Sequence, residues 1–289
     1  MRSSLPVVLV PIASRLSSST AAGFSPPAST FVSSSSSSHQ SGAFAAARTP
    51  MSWSVSATAK GKDNLAEGVL KNPRYPPEWP YSPMDFARED ESDDSFFYSQ
   101  PRLVYHIDEY AVSALTGYYA SNFKDGDDVL DICSSWVSHY PENWRGGNVV
   151  GLGMNEYELG RNDKLSSYVV RDLNVDPTFP FEDGSFDRVT CVVSVDYLNK
   201  PRRVFDEIAR VLRPGGVCHI SMSNRCFPTK AFRIWLRTND LEHIFMVGSF
   251  FHYTGMFEPA VCDDISPNPG RSDPMYVVSA TKKVTGSVE

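Results

Sequence analysis

The chain has 289 residues, 41% of them hydrophobic and 21% charged, with a formal net charge of −7. That length holds one large domain or two small ones, and the acidic balance excludes a basic nucleic-acid footprint. The charge is unevenly spread. No Asp or Glu precedes Asp63, while five of the 27 basic residues (Arg2, Arg15, Arg48, Lys60, Lys62) do, so residues 63–289 carry 22 basic against 34 acidic residues, or −12.

Residues 1–60 are rich in serine, including the unbroken run Ser33 to Ser38. Such a stretch buries too little apolar surface to offset the entropy of ordering it. Its composition, basic and acid-free, predicts a disordered transit peptide, for the plastid by its Ser-to-Arg balance and otherwise for the mitochondrion. The apolar run Leu5 to Ala13 is too short to span a bilayer. No later segment is long and apolar enough to do so, and a soluble mature protein is expected. The five cysteines (Cys133, Cys191, Cys218, Cys226, Cys262) form no C-x-x-C pair, which argues against zinc or a disulfide framework.

Residues 61–100 are rich in Pro, aromatic and acidic residues and read as an N-terminal arm outside the core. Folded structure is expected from about residue 101. Asp108 caps a helix over 107–122, with Val112, Leu115, Tyr118 and Tyr119 at helical spacing. Short apolar runs at 128–133, 148–153, 168–171 and 186–193 then read as buried strands. Pro201 opens a helix over 200–212 whose apolar face is Val204, Phe205, Ile208, Val211 and Leu212. Arg213-Pro-Gly-Gly216 stops it before a fifth strand, 217–222. A shorter helix is predicted over 229–238, then two strands around 257–265 and 275–280. The alternation of strand and helix predicts an α/β fold: a mostly parallel sheet with helices on both faces and a C-terminal antiparallel hairpin.

Two phrases, Phe179-Pro-Phe-Glu-Asp-Gly-Ser-Phe-Asp187 and Ala209-Arg-Val-Leu-Arg-Pro-Gly-Gly216, at this separation resemble the class I S-adenosylmethionine (SAM) dependent methyltransferases over residues 105–283. Arg102-Leu-Val-Tyr-His-Ile-Asp108, Cys133-Ser-Ser-Trp-Val-Ser-His139, Val150-Gly-Leu-Gly-Met-Asn155 and Ser223-Asn-Arg-Cys-Phe-Pro-Thr-Lys230 narrow the resemblance. They are similar to a group of methyltransferase-domain proteins of bacteria and photosynthetic eukaryotes with an atypical cofactor loop. The resemblance implies a Rossmann-like methyltransferase fold, SAM as cofactor and a small-molecule methyl acceptor. It implies cofactor contacts from Asp131, Cys133, Ser134, Ser135, Trp136, Gly153, Met154, Asn155, Asp172, Leu173, Asn174 and Ser194.

The sequence departs from that family at two places. The glycines that normally follow the first strand are Cys133, Ser135 and Val137 here, and valine is the residue least able to adopt positive φ, so either the loop takes a different path or the cofactor sits differently. The acid that normally binds the ribose at the end of the second strand is Gly153, with Asn155 as a neutral substitute. Asp172 matches the residue that meets the adenine amino group. For proton removal from an acceptor, His139 and His106 are the candidate catalytic bases. Trp136 either stacks on the cofactor or fills the core. Arg102, Asn224 and Arg225 are the candidate substrate-binding residues at the sheet's carboxyl edge, while Lys230 and Arg233 either join them in binding an anionic group or lie on a solvated helix face. Two other readings stay open: a methyltransferase fold without catalysis that acts as a binding or assembly factor, and a nicotinamide dehydrogenase, which the missing G-x-G-x-x-G disfavours. Nothing in the sequence sets the oligomeric state.

Overall fold

The computed structural model describes residues 10–11 and 64–284. The transit peptide expected over 1–60 therefore lies, apart from two residues, outside the described residues. In chain order the elements are β1 (Val10–Pro11), α1 (Leu65–Gly68), α2 (Asp94–Phe97), α3 (Glu109–Asn122), β2 (Val129–Ile132) and β3 (Val149–Gly153). They continue with α4 (Glu156–Leu159), β4 (Ser167–Val170), β5 (Phe186–Val192), α5 (Pro201–Val211), β6 (Leu212–Met222), α6 (Asp240–His252), β7 (Val261–Asp264) and β8 (Tyr276–Thr281).

The strands form one sheet in the order β1-β4-β3-β2-β5-β6-β8-β7. From β4 through β6 all pairings are parallel, while β8 runs antiparallel to both β6 and β7. The mostly parallel sheet and its antiparallel C-terminal pair are as the residue pattern predicts. β1 adds two residues antiparallel to β4. Alternate side chains leave opposite faces of each strand. Val129, Val149 and Val277 pack with Leu115, Tyr118 and Tyr119 of α3 on one face. Leu130, Ile132, Val150, Leu152 and Val278 pack with α5 and α6 on the other. Among the described residues no helix is long and apolar enough to cross a membrane.

Two expectations are corrected. First, the arm does not lie outside the core. Leu70, Tyr81 and Phe86 are buried in the α5/α6 cluster, and Phe86 sits edge-on to Phe232 at 5.3 Å between centroids. The prolines keep the arm extended but leave its aromatic side chains free to bury, and an aromatic ring removes a large apolar area from water.

Second, residues 229–238 form turns and a 3₁₀ turn at Trp235–Arg237 instead of a helix. The backbone donors that a helix needs are engaged elsewhere. Phe232 N–H donates to Asp196 O (2.9 Å), Arg233 N–H to Ala87 O (2.8 Å) and Ile234 N–H to Asp85 O (3.0 Å). The helix in this region is α6, capped by a reciprocal pair in which the Asn239 side chain accepts from Glu242 N–H and the Glu242 carboxylate accepts from Asn239 N–H.

Candidate active site

The order of the strands reverses at β2. From there the chain moves outward through β3 and β4, then returns to place β5 on the other side. In open α/β sheets ligands bind at such a switch point, outside the carboxyl ends of the strands. Here the crevice lies between the exits of β2 and β5, where Ile132 pairs with Cys191. Three non-glycine residues have positive φ among the described residues: Cys133 (54°), His139 (56°) and Val193 (39°). Cys133 and Val193 are the residues that leave β2 and β5. A β-branched residue at positive φ is strained, and strain of this kind concentrates at functional sites.

In the loop after β2, Cys133 adopts the left-handed conformation in place of the first glycine, and Val137 does not have to. Asp131, 2% exposed, anchors the loop by accepting from Ser134 Oγ (2.7 Å), Ser138 Oγ (2.7 Å) and Thr190 Oγ1 (2.8 Å). Burial raises its pKa to about 6 against the pull of those three hydroxyls. Ser134 N–H then bonds Leu152 O of β3 at 3.0 Å, which lays the loop down on that strand. Ser135 Oγ donates to Glu158 Oε2 (2.6 Å).

This path explains Gly153. A Cβ at residue 153 would stand 2.1 Å from Ser134 O, so no side chain, and no ribose-binding acid, fits there. Asn155 does not replace it: its Oδ1 accepts from Glu158 N–H to cap α4, and its Nδ2 donates to Tyr98 O at 2.8 Å. Met154, beside it, is half-buried. At the end of β4, Asp172 is half-buried, and its Oδ1 accepts from Asn174 N–H (2.7 Å). Burial raises its pKa above the ordinary carboxyl value. Leu173 is buried below it.

The arm crosses this edge. Asn174 Nδ2 donates to Asp94 Oδ2 (2.9 Å) and to Tyr197 O (2.9 Å). Asp94 is held by Lys230 Nζ (2.9 Å) and Arg88 (2.6 Å). The Lys230 side chain is fully buried, so it lies neither on a solvated helix face nor open to an anionic ligand. Arg233 is exposed. Tyr98, at the end of α2, sits in the crevice, where burial and the nearby Cys133, Asp94 and Asp196 push its phenol well above its ordinary pKa.

The remaining candidates are scattered around the rim. Trp136 is half-buried, donates Nε1–H to Val104 O (3.2 Å) and lies 5.2 Å from the Tyr105 ring, so it clamps the segment that follows the arm and is not a core plug. His139 is buried against Tyr105, and burial lowers its pKa to about 4. His106 is exposed, with its ring edge against Phe227 at 5.3 Å; desolvation there, then Arg102, lowers its pKa. Arg102 lies over the rings of Phe97 (4.4 Å) and Phe227 (5.3 Å), a cation–π arrangement. Arg225 pairs with Asp273 at 2.8 Å, and Asn224 is exposed. Ser194 donates Oγ–H to Val192 O.

The sequence reading missed Asp196. It lies in the 3₁₀ turn Val195–Tyr197 after β5, is 3% exposed, and its Oδ2 has no hydrogen-bond partner among the described residues. Burial raises its pKa to about 8. The only cue in the sequence is one carboxylate set between the apolar Val195 and Leu198 at a strand exit.

As a site for SAM, these residues fit in part. The orphaned Asp196 carboxyl suits a cationic group and the Asp172 carboxyl suits an amino group, but the carboxylate clamp on the ribose is sterically ruled out at residue 153. The hydrogen bonds that usually hold the ribose must come from elsewhere, at a cost of about 1.5–3 kcal/mol if nothing replaces them.

Residues 130–220 match the methyltransferase domain family. The sterol 24-C-methyltransferase of Schizosaccharomyces pombe is 33% identical over 109 residues, 34% of this chain and 28% of that protein. The demethylmenaquinone methyltransferase of Clavibacter sepedonicus is 37% identical over 103 residues, 33% of this chain and 42% of that protein. A ubiquinone biosynthesis O-methyltransferase of Pseudomonas aeruginosa is 32% identical over 106 residues, 35% and 46% respectively. The chain thus spans less than half the length of these curated relatives. Among solved structures, a SAM-bound phosphoethanolamine N-methyltransferase of Haemonchus contortus is similar with a TM-score of 0.44 at 16% identity, covering 59% of this chain and 52% of that one. The part of this chain that carries these likenesses runs from β2 through β6, residues 130–220, and there it is similar to the methyltransferase domain.

Proposed function

We propose that the protein is a SAM-dependent methyltransferase that acts on a small molecule in the plastid. The observation that carries the reading is the switch-point crevice inside the matched domain, with the polar carboxyls of Asp172 and Asp196 at its walls. The small-molecule acceptor is supported by the relatives matched over this domain, which are named for a sterol, for demethylmenaquinone and for ubiquinone biosynthesis. The plastid is supported by the acid-free, Ser-rich composition of residues 1–60.

The bound cofactor supplies the activated methyl group. The protein's own tasks are then to orient the acceptor, to exclude water and to take a proton where the acceptor carries one. In this reading the arm, fixed at the carboxyl edge through Asp94, and the segment after it, held by Trp136, serve to keep water from the crevice. Of the two histidines, His106 is the proton acceptor in this reading: it is exposed at the rim, and its lowered pKa keeps the ring in the base form at neutral pH. His139 is buried and, at about 4, too weak a base for the task. Arg102, on its aromatic shelf, faces an anionic part of the acceptor.

Calorimetric titration of residues 61–289 with SAM tests the reading. Saturable binding supports it, and the absence of both heat and thermal shift at millimolar cofactor removes it.

A further inference from the structure

A buried carboxyl with a free oxygen is an expensive feature, because the group must stay protonated or find a positive partner. Asp196 is such a carboxyl, and among the described residues no cation pairs with it. The groups within electrostatic reach of it are Tyr98 from the arm, Tyr197 from its own turn and Cys226 from the loop after β6. Around Tyr98 stand Cys133 from the loop after β2, Asp94 and Arg102. The two buried or half-buried cations of the arm region, Lys230 and Arg88, are already engaged by Asp94. The turn that carries Asp196 is fixed by Phe232 N–H on its backbone oxygen and by the strained Val193 before it. The fold therefore holds an unpaired acid at the exit of β5, beside the switch point.

We propose that Asp196 is the counter-charge for the cationic sulfonium of the cofactor, so that binding SAM expels the carboxyl's proton while binding the uncharged thioether product does not. The inference rests on the proposed function and extends it by naming the residue that distinguishes cofactor from product.

The consequence follows from linkage. With a pKa of about 8 the free protein carries this proton at pH 7. An opposite charge close by lowers the pKa of a carboxyl by about one to three units, so a cation ionises it. The proton released at pH 7 approaches about 0.9 per site, the fraction protonated beforehand. SAM affinity should rise about five- to tenfold from pH 7 to 9 and level off above the pKa of the free protein. Tyr98 and Tyr197 are pushed well above their ordinary range and Cys226 up to about 11, so they do not titrate across this interval.

The experiment is calorimetry at pH 7 in two buffers of different ionisation enthalpy, with SAM and with S-adenosylhomocysteine, on the wild type and Asp196→Asn. Asparagine is isosteric with the protonated acid, and retained S-adenosylhomocysteine binding shows that the variant is folded. The expected result is a wild-type SAM proton release that exceeds the variant's by up to about 0.9, with no difference between the two proteins for S-adenosylhomocysteine. The amino group of each ligand contributes equally to both proteins and cancels. If both ligands bind but SAM releases the same number of protons from both proteins, this inference is overturned and the methyltransferase reading stands. If neither ligand binds the wild type, both fall.

Discussion

Removing the carboxyl of Asp94 should unfasten the arm at a large cost in stability. Its side chain is 2% exposed and faces Lys230, at 0%, and Arg88, at 5%. In Asp94→Ala the carboxylates left to the two cations are Asp90, 37% exposed, and Glu91, 54% exposed, and Lys230 also keeps the Asp90 and Ser92 carbonyls. Breaking a buried pair while leaving its partner charged costs about 3–5 kcal/mol, and the one partly exposed carboxylate that each cation keeps puts this variant at the lower end. With a urea m value of about 2–3 kcal/mol/M for a domain of this size, the midpoint should fall by about 1–2 M. The loss should persist in high salt, because buried pairs are poorly screened. Adding Lys230→Met should recover part of it by removing one stranded charge. A loss below about 1 kcal/mol, the usual worth of an exposed ion pair, would refute the claim that this cluster is a buried clasp.

Other outcomes follow from the same geometry. Gly153→Asp restores the family's acid but places Cβ 2.1 Å from Ser134 O. It should lower the thermal midpoint without improving SAM affinity, and tighter SAM binding would show that the loop can move aside. Asp172→Ala should lower SAM affinity measurably by titration, and unchanged affinity would mean that Asp172 does not face the adenine. Asp196 has a folded pKa raised to about 8, above its unfolded value near 4. Its contribution is thus fully present below about pH 4 and lost as the pH rises through 8. Between pH 6.5 and 8.5 the wild type should lose stability to urea with rising pH, and Asp196→Asn should lose less; parallel curves would contradict the burial of that carboxyl. Phe205, buried and edge-on to Phe251 at 4.8 Å, should cost about 3–5 kcal/mol when replaced by Ala, read from chemical denaturation.

The strands were legible because a parallel sheet buries both faces and turns each strand into an unbroken apolar run, as in Asp128 to Cys133 and Asn148 to Gly153. α5 was legible for the opposite reason, since its apolar residues keep to one face. α6 was not, because Leu241 and Phe245 stand away from the buried face of Ile244, Met246, Val247, Phe250 and Phe251, so that apolar side chains wrap most of the helix and blur its periodicity. Its Asn239 and Glu242 capping pair was the available signal. The helix expected over 229–238 failed on tertiary hydrogen bonds to the arm and to Asp196, which no local pattern encodes.

At the site, the loss of the glycines and of the ribose acid was legible as two separate anomalies. The structure joins them: the loop lies on β3, and its Ser134 carbonyl then forbids a side chain at 153. Arg225 and Lys230 looked available for an anion, yet Asp273 and Asp94, distant in sequence, had already engaged them. Tyr98 escaped notice because nothing in the arm's composition marks it as the residue that reaches the crevice.

A crystal of the protein soaked with S-adenosylhomocysteine bears most directly on the account. The ligand should lie at the carboxyl ends of β2 and β5, between Asp172 and Asp196, with the Tyr98 ring displaced from the place it holds without ligand. A crevice still filled by Tyr98, with the ligand absent or bound elsewhere on the surface, would contradict it.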